Sequence, residues 1–185
     1  TMFISLYVTR LILNSLGASD FGIFNIVGGA ISMLAFLNGA MAAATQRFMS
    51  YAEGEKNLEK KKVIFNSSVL LHLMIAVIVC IVLEVGSIFL FDGILNIPDE
   101  RVSSAKFIYH CAVLATVFTI LTVPYDAVVN SHENMLYYAI VGIFEAFLKL
   151  GTALFVVYTL SDKLIVYGIL TAVTALIIQI TMRIY

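Results

Sequence analysis

Five stretches of this sequence are apolar over about 20 residues or more, the length an α-helix needs to cross the ~30 Å hydrocarbon core of a bilayer. They cover residues 21–46, 64–91, 105–130, 135–159 and 164–183, and a shorter apolar stretch, 2–16, precedes them. Only 12% of the 185 residues are charged, against roughly 25% in an ordinary soluble domain. Because so few charges cannot cover a water-facing surface, the sequence predicts an all-α, polytopic membrane helix bundle.

The connections between these stretches are short, so we expect consecutive helices to be antiparallel neighbours. They comprise residues 17–20, 50–62, 92–104, 131–134 and 161–163. The chain begins within an apolar stretch that is too short to span a membrane alone. We therefore expect 2–16 to be the truncated first member of six transmembrane helices, in a fragment that forms one domain over residues 1–185.

Lysine and arginine are unevenly divided between the two predicted ends of the bundle. The end with the 50–62 loop carries six: Arg47, Lys56, Lys60, Lys61, Lys62 and Arg183. The opposite end carries three: Arg101, Lys106 and Lys163. Because short cytoplasmic loops carry an excess of these residues, the division predicts that loop 50–62 is cytoplasmic.

Charge and cysteine content exclude several function classes. The net charge of −1 provides no basic surface for nucleic acid, so no nucleic-acid partner is predicted. Cys80 and Cys111 lie apart within apolar stretches, and the sequence contains neither a CxxC nor an HExxH motif. We therefore predict no metal site and no cofactor.

Small residues recur every four positions in the second apolar stretch. Ala35, Gly39 and Ala43 would form a flat helix face, the kind that allows close helix packing in lipid. A different backbone feature, Pro124, lies inside the fourth of the six stretches. Proline removes one helical hydrogen bond, so we predict a kink there.

Glu145 and Lys149 are ionisable residues in the middle of an apolar stretch. Their four-residue spacing puts them on one helix face, with the acid first, the favourable order for an ion pair. Measured from Met135, Glu145 lies about 15 Å into the membrane, too deep to reach water along the helix. The pair therefore faces the bundle interior or a wet cavity. It either orients the helix as a structural pair or lines a solute pathway.

Other polar residues in the apolar stretches are also candidates for lining such a pathway. Arg10 could instead extend to the interface, and Asn14, Asn25 and Asn38 could instead join helices by hydrogen bonds.

Several segments resemble the bacterial polysaccharide flippases, the O-antigen and capsule repeat-unit transporters of the MATE-like MOP superfamily. The resemblance is carried by residues 14–57, "LNIPDER" (95–101), "VPYDAVVNSHENM" (123–135) and "DKLIVYGIL" (162–170). It implies that the chain is most of the N-terminal lobe of a two-lobed transporter, with its own C-terminal lobe missing.

The resemblance also implies a function in the bacterial inner membrane. The transporter would flip an undecaprenyl-diphosphate-linked oligosaccharide by alternating access, driven by a coupling ion (H⁺ or Na⁺) or by substrate flux. Related flippases use cations on the first helix toward the lipid diphosphate, a role that would fall to Arg10. For Lys149 the argument is chemical, because a cation in the cavity suits an anionic diphosphate or an acidic sugar.

Three alternatives stay open at the level of sequence. The first is a MATE-type exporter of cationic small molecules, which would have a net acidic cavity. The second is a membrane enzyme of polyprenol or cell-wall metabolism, although the short loops lack the carboxylate or histidine cluster that such chemistry needs. The third is a scaffold without transport activity. Because the loops lack that cluster, we predict that the protein is not an enzyme.

Overall fold

A computed structural model describes residues 2–32, 35–91, 95 and 97–185, with the side chains of residues 30, 32 and 35–38 left out of the description. The described residues form six helices: α1 (Met2–Ser32), α2 (Ala35–Gly54), α3 (Leu58–Phe89), α4 (Asp99–Ser131), α5 (Met135–Tyr158) and α6 (Lys163–Arg183). Within this part of the chain, all of them except α2 are long and apolar enough to cross a membrane. The all-α, polytopic fold class predicted from the sequence is confirmed.

The helix boundaries differ from the prediction in the first third of the chain. The predicted stretch 21–46 is helical on both sides of residues 33–34, which lie outside the described residues, and the predicted loop 17–20 is reduced to a single non-helical residue. That residue is Gly17, with φ 79° and ψ 167°, a conformation that glycine adopts readily and other residues do not. Apolar length reports which segments suit a membrane, but it does not report where the backbone leaves the helical region.

The polar connections start the helices that follow them, so α3 begins at Leu58, well before its apolar stretch, and α5 and α6 begin within one residue of theirs. The side chain of Asn57 accepts a hydrogen bond from the Lys60 N–H at 3.0 Å, and Asn134 and Asp162 cap α5 and α6 in the same manner. The predicted loop 92–104 is likewise shorter, because α4 already begins at Asp99, immediately after Pro98.

Helix α4 lies at the centre of the bundle and packs against α1, α2, α3 and α6. Its buried face includes Ile108, Tyr109 and Val113. The Tyr109 hydroxyl donates a hydrogen bond to the Leu83 carbonyl of α3 at 2.7 Å. On the other side, a Cβ at Gly168 of α6 would lie 3.3 Å from Ile108 Cγ1, so the absence of a side chain there allows the two helices to approach closely.

Within the described residues α2 packs through a face other than its small-residue face, and the packing expected at Ala35, Gly39 and Ala43 stays a prediction. Gly39 and Ala43 are exposed, and the side chain of Ala35 lies outside the described residues. Instead α2 buries Thr45, Met49 and Ala52. Small residues permit a close approach between helices, but they do not ensure that a neighbouring helix lies on that face.

Candidate functional site

A cavity of about 600 Å³ lies among α4, α5 and α6. Gly39 and Ala42 of α2 and Val8 of α1 complete its lining. Most of the cavity lining therefore comes from α4 and from α5 and α6, which pack against each other.

Three charged side chains line this cavity: Asp126 from α4, and Glu145 and Lys149 from α5. Lys149 Nζ lies 2.6 Å from Glu145 Oε1, with side-chain exposures of 55% and 39%. Asp126 lies close enough to Glu145 for the two carboxylates to repel each other. The Glu145–Lys149 pair is thus not buried in the protein core, because it borders the cavity, which Asp126 also lines.

Threonine hydroxyls supply much of the remaining polar lining. Thr119, Thr122, Thr152, Thr171 and Thr174 all border the cavity. Four of them donate a hydrogen bond to a carbonyl one turn earlier in their own helix, at 2.8 to 2.9 Å. Since a hydroxyl has one proton and two lone pairs, these side chains keep acceptor capacity toward the cavity. Tyr138 and Tyr167 add aromatic rings to the same lining.

The structure brings some of the predicted site residues together and leaves others apart. Glu145 and Lys149 line the cavity. Arg10 and Asn14 are exposed on α1 outside this lining, and Asn25 donates a hydrogen bond to the Phe21 carbonyl of its own helix at 2.8 Å. The side chain of Asn38 lies outside the described residues. The roles suggested for these four residues stay predictions.

Asp126 is a cavity residue that sequence reasoning missed. It falls close to the end of its apolar stretch, a position that indicates contact with water at the membrane surface. Its place two residues after Pro124 is the signal that could have drawn attention to it, because freed backbone groups and polar side chains often accompany membrane cavities. Pro124 itself is buried, and α4 continues through it. The kink stays a prediction.

A second charged cluster joins three helices at the opposite end of the bundle from loop 50–62. Arg101 of α4 contacts Asp20 of α1 and Asp162, the residue that caps α6, each at 2.9 Å. Ser104 also donates a hydrogen bond to Asp162, at 3.1 Å. Asp20 is only 7% exposed, so Arg101 supplies the counter-charge that a buried carboxylate needs. Sequence reasoning missed this cluster, although its three charges fall in predicted connections on one side.

A multi-pass helix bundle with a charged, hydroxyl-lined cavity between its helices has the organisation of a membrane transporter. Residues 1–155 match the MatE family model, so the chain belongs to the MatE family. Members of this family are membrane transporters and not enzymes. The family match therefore supports a multi-pass transporter and argues against the membrane-enzyme interpretation.

The chain is also similar to the uncharacterized membrane protein EpsK of Bacillus subtilis (strain 168). The two are 23% identical over 106 residues, which cover 57% of this chain and 21% of EpsK. The matched part of the chain thus spans about a fifth of the length of this relative. No solved structure matches the chain.

Proposed function

We propose that the protein flips an undecaprenyl-diphosphate-linked oligosaccharide across the bacterial inner membrane for surface polysaccharide assembly. The observation that supports this most is the hydroxyl-rich, charged cavity between α4, α5 and α6. Sugar hydroxyls cannot enter hydrocarbon without replacement hydrogen bonds, and the threonine lone pairs would accept them. The cavity volume of about 600 Å³ suits a small oligosaccharide, since ligand sites typically measure about 300–1,000 Å³.

Lys149 is the residue that we propose meets the anionic part of this substrate. It is half exposed and paired with Glu145 from its own helix. In a water-filled cavity such a pair would stabilise the protein by about 1 kcal/mol at most, so the ammonium could exchange Glu145 for a phosphate oxygen at small cost. Glu145 would then hold Lys149 in place until substrate arrives.

The proposed mechanism is alternating access, in which this lobe moves against a second lobe that the chain does not contain. The protein would lie in the inner membrane with loop 50–62 in the cytoplasm, the side on which the substrate is loaded. A coupling ion, H⁺ or Na⁺, would be taken up by the acidic part of the cavity, where Asp126 faces Glu145. Binding a cation there relieves the repulsion between the two carboxylates.

A second candidate function is export of cationic small molecules. It is favoured by one specific observation: the charged lining described above comprises two carboxylates, Asp126 and Glu145, against the single ammonium of Lys149. A net acidic cavity attracts cations. The two candidates share the fold and differ in cargo, so a cellular experiment that measures both cargos separates them.

The experiment deletes the gene in its natural host and measures surface polysaccharide, lipid-linked intermediates in the membrane and ethidium efflux in the same cells. We expect polysaccharide to fall, intermediates to accumulate and ethidium efflux to stay unchanged. Reintroducing the natural gene should restore polysaccharide. Normal polysaccharide together with reduced ethidium efflux would contradict the flippase proposal and favour the exporter.

A further inference from the structure

A groove of about 510 Å³ lies at the end of the bundle that carries loop 50–62, and it shares Met182 with the lining of the cavity described above. The start of α3 and the ends of α4 and α6 form it. Phe65 and Tyr125 give it a half-buried aromatic floor, with the buried Met182 beside them. Lys62 and Arg183 are exposed along the same groove, so the groove combines an apolar floor with accessible cations.

The charges along the groove are not balanced. Lys61 forms an ion pair with Glu53, and its Nζ also lies 3.0 Å from His132 Nε2. The hydrogen bond that Lys61 donates to the Glu53 carboxylate holds the pKa of Glu53 below its ordinary value, so Glu53 stays ionised and neutralises Lys61. Within the described part of the chain, Lys62 and Arg183 form no ion pair with a carboxylate. Two positive charges are therefore available to an anion.

The depth of the groove matches the outer part of one leaflet. Phe65 lies seven residues into α3, and Tyr125 lies six residues before the end of α4, which corresponds to about 10 Å at 1.5 Å per residue. The headgroup region adds roughly 5–8 Å on each side of the hydrocarbon core. The groove therefore runs from headgroup level into the start of the acyl-chain region.

We propose that this groove binds an anionic phospholipid of the adjacent leaflet. Its phosphate would be held by Lys62 and Arg183, and its first acyl carbons would lie on Phe65 and Tyr125. Basic pockets between transmembrane helices on the cytoplasmic side bind anionic headgroups in this manner. The bound lipid would join the start of α3 to the ends of α4 and α6. Met182 lines both the groove and the cargo cavity, whereas the proposed phosphate ligands Lys62 and Arg183 line the groove and not the cavity.

The test measures lipid binding to the complete natural protein in detergent, by native mass spectrometry with phosphatidylglycerol and phosphatidylcholine. The variant Lys62→Gln/Arg183→Gln removes both free cations. The control Arg47→Gln/Lys56→Gln removes two charges from the same end of the bundle but outside the groove. At about 1 kcal/mol for each cation, the groove variant should bind phosphatidylglycerol about tenfold to thirtyfold more weakly, and the control should stay near the natural protein. Phosphatidylcholine binding should be equal in all three.

Two results would overturn the proposal. Equal weakening in the groove and control variants would mean that only the overall charge of this end matters. Displacement of phosphatidylglycerol from the natural protein by excess inorganic phosphate would mean a free-anion site without a contribution from the apolar floor. If the groove variant does not fold, a photoactivatable phosphatidylglycerol tests the natural protein directly. It should cross-link to the peptides that contain Phe65 and Tyr125, and cross-links confined to other peptides would contradict the proposal.

Discussion

Lys149 gives the cavity a positive charge beside the carboxylates of Asp126 and Glu145. Four residues along one helix are enough to predict that Lys149 meets Glu145, because that spacing fixes their shared face. No such local rule relates Asp126 to either of them, since it reaches the cavity from another helix. The Glu145–Lys149 pair was therefore predictable from the sequence. The position of Asp126 beside this pair depends on how α4 and α5 are arranged in the bundle.

At this site we predict that Lys149→Ala lowers transport by about tenfold or more, since a hydrogen bond to a charged group contributes about 1.5–3 kcal/mol. Lys149→Arg keeps the charge and should retain most of the activity. Surface polysaccharide measured in cells that lack the natural gene reports transport, and immunoblotting of the membrane fraction checks that both variants are inserted. Equal polysaccharide from Lys149→Ala and the natural protein would contradict a substrate role.

Gly17 is the residue at which the backbone of α1 leaves the helical region. A Cβ at this position would meet nothing within 4 Å, so any cost of a side chain comes from the backbone conformation and not from crowding. We predict that Gly17→Ala destabilises the protein by about 1–3 kcal/mol. Gly22→Ala, at a helical position of the same element that also has open space, is the matched control.

Thermal unfolding of the purified natural protein and both variants in detergent measures this difference. Replacing glycine by alanine inside a helix is favourable by roughly 0.5–1 kcal/mol, so Gly22→Ala should raise the melting temperature slightly while Gly17→Ala lowers it. A melting temperature for Gly17→Ala at or above that of the control would show that the conformation at residue 17 is not required.

At the scale of elements, the Arg101 cluster joins α1, α4 and the start of α6. We predict that Arg101→Ala destabilises the protein by about 2 kcal/mol, because it leaves the buried Asp20 carboxylate without its counter-charge. The expected loss is smaller than for a fully buried pair, since the Arg101 side chain is 39% exposed. Lys106→Ala is the control, because Lys106 lies near the same end of α4 and contacts only the Phe91 ring among the interactions described.

The melting temperature in detergent measures this effect, and a fall of several degrees is expected for Arg101→Ala alone. Asp20→Asn should recover part of the loss when combined with Arg101→Ala, because it removes the unpaired charge. Additive effects of the two substitutions would show that Arg101 and Asp20 do not act as a pair.

The limits of sequence reasoning also appear most clearly in the helices. Asn57 and Asn134 start helices by a local rule, and both were predictable as connections because polar residues interrupt the apolar pattern. The face through which α2 packs was not predictable, since the small residues Gly39 and Ala43 show only that a neighbouring helix could approach closely. The close approach occurs at Gly168, which pattern alone does not distinguish from the other glycines. Which small residue is used depends on the tertiary arrangement.

At the scale of the whole molecule, the excess of lysine and arginine at one end predicts the orientation in the membrane. When Cys80 and Cys111 are replaced by alanine, the labelling of single introduced cysteines measures this orientation. We predict that Lys56→Cys reacts with a membrane-impermeant maleimide only after the membrane is opened. Leu160→Cys, at a fully exposed position beyond α5, should react in intact spheroplasts. The reverse pattern of labelling would place loop 50–62 on the outer face.

The central position of α4 has a consequence for how the chain assembles during synthesis. The packing partners of α1 are α4, α5 and α6, and α4 is complete only at Ser131. At about 5–20 residues per second, ribosomal synthesis reaches that point roughly 5–20 s after α1 is finished. Arg101, the partner of the buried Asp20 of α1, is synthesised only in the last third of this interval. The contacts that stabilise α1 can therefore form only well after α1 itself has been synthesised.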